Sequence, residues 1–269
     1  MPGPAAHVSS NELAAIAHEA VLFTFPLYEM ARMRAAASAR RDADGNFAGG
    51  SPNSTLRWMN RWVHTRQLLG PQNREVVTPN NDTLYSSVWL DLSAGPLLLN
   101  VPDMGERYYI LGLLDFYTNP FGYIGSRTTG TAAASFLLHG PDWQGEVPQG
   151  ARALSCPTPC VWMIGRFLVD GPGDLEEVVA LQDRFVLTPL GQHDATVPML
   201  VDVGMQPRER ASDPVRFAQV VNGALFENPP APESVRAGSA SRNAASVPTA
   251  MRRLWIPRSA RLSRRRLSK

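Results

Sequence analysis

The spacing of apolar residues along this chain changes character near residue 76, dividing an α-rich start from a β-rich middle. Ser9-Ser10-Asn11-Glu12 reads as a capping box, with Ser9 at the cap and Glu12 reaching back to it. Leu13, Ile16, Ala17, Ala20 and Val21 then recur at helical spacing, which predicts a helix from about Ser10 with one buried face. Pro26 has no amide hydrogen and is expected to kink or end it. Leu27, Met30, Ala31 and Arg34 predict a second helical stretch that runs out in the polar, Gly-rich segment 40–53. Leu56, Met59, Trp62 and Val63 predict a further amphipathic helix over 54–69, stopped at Gly70-Pro71.

Beyond Val76 the pattern suits strands. Residues 83–92 are rich in β-formers and end at Ser93-Ala94-Gly95-Pro96. Short strands are predicted over 97–101, 107–114, 135–139 and 161–169, each bounded by Gly, Pro or a polar turn. Five short strands with tight connections and no strand–helix–strand crossover predict an antiparallel sandwich. Asp174-Leu175-Glu176-Glu177 is a second capping signature, opening a helix with Leu175, Val178, Leu181 and Phe185 on its apolar face. Asp213-Pro214 opens a last helix, which Asn228-Pro229-Pro230 terminates. The expected class is α+β, mainly β: an antiparallel β-sandwich core with N-terminal helices and two later helices. The expected organisation is a helical region over 1–70, a sandwich domain over 71–190, a linker and helix over 191–233, and a tail over 234–269.

Charge changes the picture of that tail. The chain carries 26 basic and 24 acidic residues, but ten basic and no acidic ones lie in 234–269. Residues 1–233 therefore hold 16 basic against 24 acidic groups, a net of −8. The overall balance of +2 says nothing of a nucleic-acid face on the folded part. No apolar run reaches the roughly 18 residues of a membrane span. The start lacks the basic residues and the uninterrupted apolar middle of a secretory signal, which predicts an unexported, cytoplasmic protein. Cys156 and Cys160, in Cys-Pro-Thr-Pro-Cys, are too few for a zinc site and have no His at ligand spacing. They read as semi-buried side chains or as a labile redox pair.

Several long motifs, in order, resemble a bacterial family catalogued as domain of unknown function 1254. They run from Thr78-Pro79-Asn80-Asn81-Asp82-Thr83-Leu84-Tyr85 through Arg107-Tyr108-Tyr109, Leu114-Asp115-Phe116-Tyr117-Thr118-Asn119 and Arg127-Thr128-Thr129-Gly130. Gly165-Arg166-Phe167-Leu168-Val169-Asp170-Gly171-Pro172, Leu181-Gln182-Asp183 and Leu187-Thr188-Pro189-Leu190 complete the set. The resemblance implies a β-sandwich with helical additions. It also implies, in longer members, a second all-β domain of unknown function 1214 after the first. Here the sequence after Glu233 turns instead to Arg, Ser, Ala and Pro. Since 25 of the 26 basic residues are Arg, the tail reads as out-of-frame translation of GC-rich DNA, or else as a basic arm for nucleic acid or anionic surfaces.

Familiar catalytic signatures are absent: no Gly-x-Ser-x-Gly elbow, His-Glu-x-x-His, Walker loop or Gly-x-Gly-x-x-Gly occurs. The only lysine is Lys269, which disfavours imine chemistry. No spacing suggests a metal or cofactor. Candidate polar groups cluster at strand ends. Asn80, Asn81 and Asp82 either bond their own backbone to form a turn or face a ligand. Asp115, Tyr117 and Asn119 alternate, so they share a side if the strand continues, with Arg127 following. Arg166 interrupts an apolar strand and calls for a carboxylate partner, with Asp82, Asp115 or Asp170 as candidates. Alternatively, Arg127 or Arg166 grips an anion through paired N–H donors. His64 becomes the best general base if it faces the sheet beside Asp82 or Tyr85. Two readings follow: a module binding a small polar or anionic ligand, or a hydrolase or proton-transfer enzyme with Asp82 or His64 as base. In the second reading, loss of a further domain would leave the chain inactive.

Overall fold

Alternation of buried and half-buried residues along the strands builds two sheets with a shared core. The computed structural model describes residues 9–37, 40–41, 47–48, 59–73, 79–191 and 213–230. The tail over 234–269, the stretch 54–58, and His7 and His193 lie outside the described residues. The elements are α1 (Ser10–Ala37), β1 (Arg40–Arg41), β2 (Phe47–Ala48), β3 (Val63–His64), β4 (Thr83–Asp91), β5 (Leu97–Val101) and β6 (Tyr109–Leu114). They continue with β7 (Pro120–Gly125), β8 (Ala134–His139), β9 (Ala151–Ser155), β10 (Cys160–Leu168), α2 (Leu175–Gln182), β11 (Val186–Pro189) and α3 (Pro214–Glu227).

Strand order is β3-β4-β10-β6-β7 in the larger sheet and β11-β5-β8-β9 in the smaller, and β1 and β2 pair as a separate two-stranded sheet. All pairings are antiparallel except β8–β9, whose return through residues 140–150 lets the two run in parallel. The expected mainly-β class with helical additions is what forms. Leu84, Val88 and Leu90 of β4, Leu111 and Leu113 of β6, and Val161, Met163 and Phe167 of β10 face inward. They meet Leu97, Leu99 and Val101 of β5 and Phe136 and Leu138 of β8 in one buried cluster. Val178 and Leu181 of α2 join it.

The chain divides into two compact units, one of residues 1–29 and 211–269, the other of residues 30–210. In the first, Tyr28 packs its ring against Phe217 with centroids 4.8 Å apart. Asp213 caps α3 by accepting from the Val215 and Arg216 amides at 3.0 and 3.3 Å, as its sequence signature predicts. The capping box of α1 also forms, with Ser9 N–H donating to Glu12 Oε2 at 2.9 Å.

Four local expectations are corrected. Pro26 neither ends nor splits α1, which runs unbroken from Ser10 to Ala37. The cost of the missing amide bond is offset by burial just after it, where Leu27, Met30 and Ala31 are at most 2% exposed; before it, buried Thr24 donates to Ala20 O at 2.7 Å. The helix predicted over 54–69 is absent from its described part, where β3 forms instead. Asn60, at φ 62°, exchanges two bonds with the Asp91 backbone and holds this segment as an edge of β4. Its apolar residues match helical spacing by coincidence of an irregular strand. Phe185 is buried but lies three residues beyond the end of α2. Finally, Asp174 makes no side-chain cap; its carboxylate is taken by Arg107.

Candidate functional site

The register of the larger sheet decides which polar residues share a neighbourhood. Val169 N–H donates to Asp82 O, Leu168 N–H to Tyr108 O, and Ser126 N–H to Tyr109 O. Asp82, Tyr108, Arg127 and Asp170 therefore lie at one end of the sheet. Asp115, Tyr117 and Asn119 lie at the other, in the β6–β7 turn. The six residues of β7 separate Arg127 from that turn by roughly 17–20 Å. No single pocket gathers Asp115 and Arg127.

Asp115 is occupied by its own turn. Its carboxylate accepts from the Tyr117 and Asn119 amides at 2.8 and 2.9 Å and from Asn119 Nδ2 at 3.0 Å. Thr118 sits at φ 67° inside this loop. Tyr117 is driven towards its neutral form by burial and by the Asp115 charge. The trio thus builds a turn, and the strand does not continue as the alternation required.

His64 does face the sheet, but towards the interior. Its Nδ1 lies 2.7 Å from Ser86 Oγ, and Gln182 Nε2 donates to the same hydroxyl at 3.0 Å. Ser86 is 1% exposed. Burial, aided by nearby Arg66, lowers the His64 pKa to about 4, so the ring is neutral at pH 7. Arg66 in turn bonds the Val179 carbonyl and pairs with Asp183 at the C-terminus of α2. The set joins β3, β4 and α2, with the hydroxyl closed to solvent. Gln182 on the buried stripe of α2 and Ser86 at a core position of β4 were the sequence signals for it: two polar side chains where apolar ones belong.

Among the described residues no carboxylate pairs with Arg166, contrary to expectation. Val161, Met163, Gly165 and Phe167 face the core, so Arg166 points from the opposite face of β10 and is exposed. Reading 161–169 as apolar on both faces caused the error: Trp162, Ile164 and Leu168 on the outer face are only half-buried. The guanidinium lies over the Tyr85 ring, 5.4 Å from its centroid. Tyr85 OH accepts from the Asn80 amide at 2.9 Å. Arg127 stacks similarly over Tyr108, at 5.3 Å. Asn80, Asn81 and Asp82 are exposed, and their side chains form no hydrogen bond among the described residues. Thr83 Oγ1, buried beside them, is likewise without a partner among the described residues.

The well-made ion pair is one that sequence reasoning missed. Arg107 Nη2 donates to Asp174 Oδ1 at 2.6 Å, Nη1 pairs with Oδ2 and also donates to Leu168 O at 2.9 Å. Their side chains are 12% and 13% exposed. Hydrogen bonding to Arg107 pulls the Asp174 pKa down and raises that of Arg107. Among the described residues, no cluster of His, Cys, Asp and Glu is suited to a metal, and no helix is long and apolar enough to cross a membrane.

Residues 59–189 match a family described as "Protein of unknown function (DUF1254)". No curated protein matches the chain. Among solved structures, the VPA0106 protein from Vibrio parahaemolyticus is similar at 22% identity and a TM-score of 0.60, over 88% of this chain and 51% of that one. An uncharacterised protein from Burkholderia cenocepacia matches at 12% identity with a TM-score of 0.31, over 82% of this chain and 51% of that one. The first supports the fold alone. The chain spans about half the length of both.

Proposed function

With residues 59–189 taken as a DUF1254 domain, we propose that its outer sheet face is a binding surface for a small anionic ligand, held without bond-making by Arg166 and the Tyr85 hydroxyl. The observation that carries this reading is an exposed arginine on the central strand of a five-stranded sheet that makes no ion pair among the described residues. Guanidinium carries five N–H donors, and a partly dehydrated one over an aromatic ring gains most from a carboxylate or similar acceptor. The Tyr85 oxygen already accepts from Asn80, which leaves its own proton for a ligand. Asn80 and Asn81 add side-chain amides that make no hydrogen bond among the described residues.

The hydrolytic alternative finds less support. His64 and Ser86 are in contact, but a serine 1% exposed offers no path for a substrate. Thermal-shift screening of small organic acids against the wild type and Arg166→Gln tests the reading. Stabilisation by some acids that disappears in the variant is expected. Equal stabilisation of both proteins would refute it.

A further inference from the structure

The strand register sets a second arginine at a fixed spacing from Arg166. One row of the outer face is Tyr85, Arg166, Ile110 and Gly125. The next row, towards the sheet end, is Thr83, Leu168 and Tyr108, and the Ser126 N–H bond to Tyr109 O brings Arg127 level with Tyr108. Arg127 and Arg166 thus stand two strands apart and two residues along, a separation of roughly 10–12 Å between backbones. Each guanidinium leans one strand towards the β3 edge, Arg166 over Tyr85 at 5.4 Å and Arg127 over Tyr108 at 5.3 Å. About the same separation therefore holds between the two cations. Both are exposed, and neither makes an ion pair among the described residues.

No acid stands in either row. Asp82 is opposite Val169, whose side chain is in the core, so the Asp82 carboxylate leaves from the inner side of the sheet; Asp170 lies beyond the end of β10. Ile110 and Leu168, in the rows between the cations, are half-buried and uncharged. Once one carboxylate rests on Arg166, a second one tethered to it reaches Arg127 as an intramolecular event, provided that the tether spans the gap. A monoanion, or a dianion whose charges adjoin, engages one cation alone. Resting on the anion-binding reading above, we infer that the ligand is a small, extended dicarboxylate, with one acid group on Arg166 and Tyr85 and the other on Arg127. Recognition is by two points on an open face and calls for no enclosing cavity.

NMR titration of the full chain with suberate, octanoate and malonate tests this: a long diacid, a monoacid of the same length, and a diacid too short to bridge. Suberate is expected to bind at least tenfold more tightly than either of the others. Arg127→Gln should bring suberate down to the level of octanoate while leaving octanoate unchanged, and Arg166→Gln should weaken both at least tenfold. Octanoate binding as tightly as suberate, or suberate indifferent to Arg127→Gln, with both weakened in Arg166→Gln, overturns the dicarboxylate but leaves the anion site. Malonate binding as tightly as suberate overturns the two-point span, since charge alone then suffices. Absence of any binding, or binding indifferent to Arg166→Gln, overturns both the dicarboxylate and the anion-binding reading. Both substitutions are at exposed positions, so the variants are expected to fold.

Discussion

Replacing Asp174 by alanine should show how much of this fold rests on one ion pair. The carboxylate receives two bonds from Arg107 and a third from the Asp170 amide at 2.7 Å. Both charged side chains are nearly nine-tenths covered. Removing one partner of such a pair leaves the other charge desolvated, at a typical cost of 3–5 kcal/mol. Here the lower figure applies, about 3 kcal/mol, because Arg107 keeps the Leu168 carbonyl and a 3.4 Å contact to the exposed Glu177. For a domain of this size that lowers Tm by roughly 6–12 °C. The pH dependence has a definite sign. Asp174 is held below its ordinary pKa, so its contribution is complete above about pH 4 and is lost as pH falls through the lower folded value. Denaturant melts of wild type and Asp174→Ala should therefore converge as pH drops from 5 to about 2. A Tm loss under about 2 °C at pH 7, or a gap unchanged by acid, would refute the account.

Arg166→Ala should change stability by less than about 0.5 kcal/mol in denaturant melts, since the side chain is exposed and unpaired among the described residues; a loss of several kcal/mol would revive a buried partner. His64 is expected to titrate near pH 4 by NMR, with the unfolded state binding protons first between about pH 6.5 and 4. Stability should accordingly fall with acid across that window, by up to about 1.4 kcal/mol per pH unit, and His64→Gln should flatten the slope. A His64 midpoint near 6.5 contradicts the buried contact with Ser86. Gly125→Ala should be severely destabilising, because its Cβ would stand 2.5 Å from Tyr109 O and 2.9 Å from Ile110 Cα, both backbone atoms. A soluble variant with wild-type Tm would show that β6 and β7 can separate.

What local sequence determines here are the elements whose signals are short-range. Both the Ser9–Glu12 box and the Asp213 cap form because their partners lie within three residues. The inward sides of β4, β5, β6 and β10 follow from period-two alternation, so the mainly-β class was legible without coordinates. Pro26 and the segment around Trp62 escaped local rules because packing and a two-way bond from Asn60 to a residue 31 positions away outweigh propensity there. The short strands β7, β9 and β11 likewise depend on their neighbours more than on their own composition.

The charged groups were the least legible. Arg107 and Arg166 each precede an aromatic residue, Tyr108 and Phe167, and their immediate neighbours do not tell which of them is paired. Which of them meets a carboxylate depends on where α2 returns after β10, a contact spanning 67 positions that no spacing encodes. Side-chain identity sets which groups need partners; the register of β10 between β4 and β6 assigns them, because a one-residue shift carries a side chain to the opposite face.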